Sequence, residues 1–123
     1  MSENELARLA IGCGLKVHKA LGPGLLENAY LECLAYEVKQ LGLKVEKQKA
    51  IPLIYNEVKL EVGYRADLVV EEKLIIELKA VESLTDVHLA QLLTYLRLAD
   101  CNLGLLMNFN TLLFRDGVRR VIL

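Results

Sequence analysis

The stretch from Arg65 to Lys79 constrains this chain more than any other. Two aliphatic runs, Ala66–Val70 and Leu74–Leu78, are separated only by Glu71-Glu72-Lys73. Apolar, β-branched runs of this length read as strands, and so short a polar link suits a hairpin. Each run carries one acid, Asp67 in the first and Glu77 in the second. A carboxylate inside an apolar strand is costly unless it is paired, hydrogen-bonded or metal-bound. With Val70 opposite Leu74, counting back sets Asp67 opposite Glu77, on one face with Cβ atoms about 5 Å apart. Alternation adds Arg65 and Lys79 to that face and sends Ala66, Leu68, Ile76 and Leu78 to the other. Two adjacent carboxylates repel, and a hard divalent cation between them would remove the repulsion. The alternative is a cross-strand charge cluster, with Arg65 and Lys79 neutralising the acids on a solvated face.

The rest of the chain reads as helices around such strands. Leu6, Leu9, Ala10, Cys13, Val17 and Ala20 fall three and four apart over residues 3 to 20, the stripe of an amphipathic helix. Gly22-Pro23-Gly24 breaks it, and Pro23 suits the start of a second helix running through Tyr30, Leu31, Leu34 and Val38 to a stop at Gly42. One or two strands follow over Val45 to Tyr55, then a turn at Asn56-Glu57 and strands over 58 to 70 and 74 to 81. Helical spacing returns from Asp86 to Ala99, with Ser83 or Thr85 to cap it. Leu103 to Phe109 is almost wholly apolar, as suits a strand buried on both faces. Val118 to Leu123 makes a last, edge strand that Arg119 and Arg120 would protect. The expected fold is α/β, a mixed β-sheet flanked by helices in the order ααββββαββ.

Composition bounds what such a fold can do. A chain of 123 residues suits one domain, 1–123, and can bury about two-thirds of its unfolded surface. With 54% hydrophobic and 25% charged residues it is neither disordered nor low-complexity. Fifteen basic residues against 16 acidic ones leave a net charge of -1, so no global basic field exists. Any polyanion would need a local patch, for which Arg65, Lys79 and Arg97 are the candidates. Cys13, Cys33 and Cys101 are odd in number and lack CxxC spacing, so they read as reduced thiols of a cytoplasmic protein. No basic-then-apolar leader and no run of about 18 apolar residues is present, so neither secretion nor a membrane partner is expected.

A third acid, Glu27, precedes Tyr30, Leu31 and Leu34 at helical spacing and is expected to face inward. A first-turn glutamate favoured by the helix dipole is the ordinary alternative. Gln91 and Tyr95 lie four apart on one face of the third helix, after His88. No phosphate-cradling glycine loop and no nucleophile–base arrangement of Ser or Cys is visible.

Gly24-Leu25-Leu26-Glu27-Asn28-Ala29-Tyr30 matches the pattern that names the GxxExxY protein family. The likeness continues through Gly63-Tyr64-Arg65-Ala66-Asp67-Leu68, Glu77-Leu78-Lys79 and Leu105-Leu106-Met107-Asn108-Phe109. That family resembles the PD-(D/E)xK nuclease superfamily, whose restriction-endonuclease-like core carries an Asp and a Glu-x-Lys on adjacent strands. The resemblance implies a divalent-metal-dependent nuclease hydrolysing phosphodiester bonds, with Glu27, Asp67 and Glu77 binding Mg²⁺ or Mn²⁺ and Lys79 catalytic. Gln91-Leu92-Leu93-Thr94-Tyr95 looks like the QxxxY element of exonuclease-like branches, making Gln91 and Tyr95, with Tyr30 and Arg65, supporting or substrate-contacting candidates. The implied partner is nucleic acid, DNA ahead of RNA, with a homodimer or a partner protein left open. A non-catalytic nucleic-acid-binding or protein-interaction subunit with the same fold is the alternative.

Overall fold

The computed structural model describes residues 1–61 and 63–123. Its elements are α1 (Glu3–Leu21), α2 (Glu27–Gln40), β1 (Val45–Ala50), β2 (Leu53–Tyr55), β3 (Val58–Leu60), β4 (Arg65–Val70), β5 (Leu74–Lys79), α3 (Asp86–Ala99), β6 (Leu103–Asn108) and β7 (Val118–Ile122). A short 3-10 turn, Phe114–Gly117, precedes β7. The two aliphatic runs form β4 and β5 and pair antiparallel with Val70 opposite Leu74, as counted. The five-stranded sheet has the order β1-β4-β5-β6-β7. Only β5 and β6 run parallel, joined by the α3 crossover, so the sheet is mixed as expected.

There is one strand more than the order ααββββαββ allows. The stretch expected as a strand from 58 to 70 is two strands, because Gly63 turns the chain at φ 118°. β3 folds back on β2 around Asn56 to make a separate two-stranded hairpin. The chain then rejoins the main sheet, where the Ile51 amide donates to the Tyr64 carbonyl (2.9 Å). Val62, within that expected strand, lies outside the described residues.

The sheet has a core on each side. Leu68, Val70, Leu74, Ile76, Leu78, Leu105 and Met107 pack under α1 and α2, while Val69, Ile75 and Leu106 pack under Leu92, Tyr95 and Leu96 of α3. β6 is buried along its whole length, and β1 and β7 are the edges. α1 is capped by Ser2, whose hydroxyl accepts from the Glu5 amide (3.2 Å). α3 is capped by Thr85 in a reciprocal box with His88, which gives that histidine a structural role.

The second helix begins at Glu27, four residues beyond Pro23. Gly24, at φ 100°, cannot continue a helix, and the fully buried Tyr30 fixes the turn. Its hydroxyl donates to the Gly22 carbonyl (2.6 Å) and accepts from the Leu25 amide (3.0 Å), while its ring stacks on Phe109 at 4.6 Å. Tyr30 therefore sets where α2 starts and where Glu27 stands.

Two glycines of α1 separate packing from propensity. A Cβ at Gly14 would overlap the Phe114 ring and come within 3.2 Å of Met107 Sδ, whereas Gly12 is exposed with open space around it. Gly14→Ala is expected to destabilise the fold by about 1–3 kcal/mol through overpacking. Gly12→Ala should stabilise it by about 0.5–1 kcal/mol through helix propensity. Urea denaturation midpoints of the two variants check both signs.

Candidate active site

β4 and β5 pair along their apolar halves and part at their acidic ones. Their ladder ends at Leu68 opposite Ile76, and beyond it carboxylates replace backbone carbonyls as acceptors. The Asp67 amide donates to Glu77 Oε1 (3.3 Å) and the Leu78 amide donates to Asp67 Oδ2 (2.8 Å). On the other flank, β1 pairs through Lys47 with Leu68 and through Lys49 with Ala66, yet Gln48 between them drops out at φ 51°. Asp67 thus lies where the ladders to both neighbours are interrupted. The chain turns over there: Leu68 joins the α1/α2 core, while Ala66, expected on the same face as Leu68, joins the α3 core.

Glu77 is 5% exposed and Asp67 half-buried. Burial pushes the Glu77 carboxyl up to about 9, helped by the hydrogen bond and negative charge of Asp67 and opposed by the Asp67 amide and Lys79. At neutral pH Glu77 therefore keeps its proton beside Asp67. Glu27 lies at the rim, not inward as expected, because it is the first residue of α2 and is exposed. It lines a pocket of about 220 Å³ with Asn28, Leu31, Gln48 and Asp67. Partial desolvation and then Asp67 raise its pKa, against Lys79 and the Ala80 amide. Lys79 is half-buried and its charge acts on both Glu27 and Glu77.

A profile of the PD-(D/E)XK nuclease superfamily matches residues 4–121 of this chain. The chain belongs to that superfamily. Neither the curated proteins nor the solved structures compared with it contain a significant match. Membership brings a nuclease-like function, nucleic-acid binding and, in general, divalent-metal chemistry. The five-stranded mixed sheet between helices is consistent with the restriction-endonuclease-like fold of these nucleases.

The remaining candidates of this PD-(D/E)XK domain scatter. Among the described residues, Asp67, Glu77, Arg65 and Lys79 form no ion pair, so the charge-cluster alternative is not what places the acids. Arg65 is exposed, its guanidinium 3.5 Å from the Gln48 carbonyl, carried off the acidic face by the turnover at Asp67. Tyr95 is buried and edge-on to Tyr64 at 6.5 Å. Burial and then the charges of Glu77 and Asp67 raise its phenol pKa, which sets it beside the pair. Gln91, one turn earlier, is exposed, and Tyr30 belongs to the core. Arg97 lies in the last turn of α3, before the chain enters β6 at Leu103 opposite Leu74. That is the far end of β5 from Glu77, so no patch of Arg65, Lys79 and Arg97 forms.

Asn108 falls in the Leu105–Phe109 segment of the family likeness, where the sequence assigns it no role. It is buried opposite Lys79, where its side chain donates to the Val81 carbonyl (2.9 Å) and accepts from the Val81 and Asn110 amides (3.1 and 3.2 Å). The Phe109 amide also donates to the Lys79 carbonyl (2.9 Å). Together these clamp the chain just after Lys79. A lone amide side chain closing an apolar strand was the available signal. Among the described residues no three His, Cys, Asp or Glu side chains already form a metal cage, since Glu77 is turned onto the Asp67 amide. The donor chemistry nonetheless fits a hard divalent cation: oxygens only, with a proton-held pair whose repulsion the cation would relieve.

The raised Glu77 carries a stability consequence. Folded Glu77 keeps its proton to about 9, whereas unfolded it loses the proton near 4.5. Between those values the folded state binds more protons, so stability is greatest at the acid end and falls as pH rises through the window. In metal-free protein the urea midpoint is expected to decline across it, and Glu77→Gln should flatten the decline.

Proposed function

We propose that the chain is a metal-dependent nuclease of the GxxExxY branch, hydrolysing phosphodiester bonds in nucleic acid at Asp67, Glu77, Lys79 and Glu27. The observation that carries this reading is the exchange of amides and carboxylates between Asp67 and Glu77 at the parting of β4 and β5. It supplies a reason for two acids to be held together in an apolar sheet of this superfamily.

Asp67, Glu77 and, from the rim, Glu27 would hold the cation, Mg²⁺ or Mn²⁺. When bound, the cation would act as a Lewis acid on a phosphoryl oxygen and lower the pKa of the attacking water. Lys79 orients that water and offsets negative charge gathering on the phosphoryl group, which its half-buried position strengthens. Asn108 positions Lys79 through the clamp on Val81. Tyr95 supports the pair from α3, and Gln91, exposed one turn earlier, would serve a substrate phosphate, while Arg65 is turned away from the acids. The three free thiols support a reducing, cytoplasmic setting.

The test separates ligand from catalyst. Glu77→Gln exchanges an anionic ligand for a neutral amide, so Mn²⁺ affinity and cleavage should both fall. Lys79→Ala keeps all three carboxylates and should bind Mn²⁺ at least as well, while cleavage drops about 100-fold, roughly 3 kcal/mol of barrier. Calorimetric Mn²⁺ titration beside cleavage of single-stranded and duplex DNA and RNA reads both. Cleavage unchanged in Lys79→Ala would overturn the assignment, and no cleavage by the parent would favour the non-catalytic subunit.

A further inference from the structure

Four of the six arginines, Arg8, Arg115, Arg119 and Arg120, lie on α1 or in the closing stretch 112–123; the closing stretch has one acid, Asp116, and the first turn of α1 has Glu3 and Glu5. Arg115, Arg119 and Arg120 rim a groove of about 440 Å³ between α1, the 3-10 turn and β7. Its floor is apolar, formed by Ile11, Leu15, Phe114 and Val118. Arg120 reaches across to α1, donating to Asn4 Oδ1 (2.6 Å), and Arg8 follows Asn4 by one turn on the same helical face. Arg119 donates to the Asp116 and Val118 carbonyls (3.1 and 2.9 Å). Among the described residues none of the four forms an ion pair. In a chain with a net charge of -1 this is a local positive field over an apolar floor.

Beside the groove β7 is bonded to β6 on one side only, which leaves a row of backbone donors and acceptors along its outer edge. A second copy pairing edge to edge around a two-fold axis would bring these arginines against their own copies, at a cost. A phosphodiester backbone would neutralise the arginines but use neither the apolar floor nor the strand edge. An extended peptide alternating acidic and aliphatic side chains uses all three features, as in strand addition to an open sheet.

We propose that the β7 edge and its arginine-rimmed groove dock an extended acidic–aliphatic segment of a partner protein, which adds to the sheet as a further strand. β7 lies two strands from β5, so this surface is separate from the acid pair.

The probe is a fluorescein-labelled, strand-length peptide alternating glutamate and valine, set against a lysine–valine peptide and oligothymidylate. Binding to the full chain is read by anisotropy and by hydrogen exchange of the β7 amides. The glutamate peptide alone is expected to bind and to slow exchange along β7. Its affinity should fall about tenfold or more in the exposed double variant Arg119→Glu/Arg120→Glu and weaken with salt. No binding by about 1 mM overturns the proposal. So does oligothymidylate competing as well as the peptide, which would mark a nucleic-acid surface, or a dimer in sedimentation that the peptide cannot dissociate. Every readout is binding, so the outcome is independent of whether the acid pair cleaves.

Discussion

Two carboxylates forced together in a sheet interior cannot both be charged at low cost, and the structure around Asp67 and Glu77 follows from that constraint. Coulomb repulsion at this range, in a poorly solvated site, outweighs what surface charges contribute elsewhere in the chain. The protein meets it with hydrogen bonds in place of ion pairs. The Asp67 and Leu78 amides are released from the strand ladder and given to the acids, and Glu77 retains its proton. Releasing those amides requires β4 and β5 to diverge, and Gln48 leaves the ladder on the other flank. The divergence opens the sheet just where Glu27 and Lys79 approach.

Elements outside the pair hold those approaches in place. Tyr30 stands in the core, yet by pinning the Gly22 carbonyl and the Leu25 amide it decides that α2 begins at Glu27. Asn108 does the same for the chain leaving Lys79. Both are buried polar groups whose hydrogen bonds are satisfied, and such groups fix geometry at little net energetic cost. The site is thus set by residues on opposite sides of the sheet.

Much of this was legible in the chain itself. A three-residue link between two apolar runs leaves little freedom of register, so the pairing of Val70 with Leu74 and the meeting of Asp67 with Glu77 could be counted. Strict alternation failed only at Ala66 and Arg65, because the unpaired Asp67 lets the strand turn over, and period two holds only while the ladder is continuous. Gly63 splits the long expected strand through a backbone conformation that no periodicity reports. Glu27 stands exposed at the rim where spacing predicts an inward residue, since spacing fixes a helical face and not where the first turn begins. The arginine face at β7 was read as edge protection alone. That Arg115, Arg119 and Arg120 rim one groove with α1 depends on tertiary packing, which spacing cannot supply.

The most direct measurement of the central idea, that Glu77 keeps beside Asp67 a proton which a divalent cation displaces, is proton release on metal binding. Mn²⁺ is titrated calorimetrically into the protein at about pH 7 in buffers of different ionisation enthalpy, which counts protons released per metal. Glu77 holds its proton to about 9 without metal, so about one proton should leave for each cation bound. Tight binding with no proton release would contradict proton-bearing Glu77 as a metal ligand, and no binding would contradict the site itself.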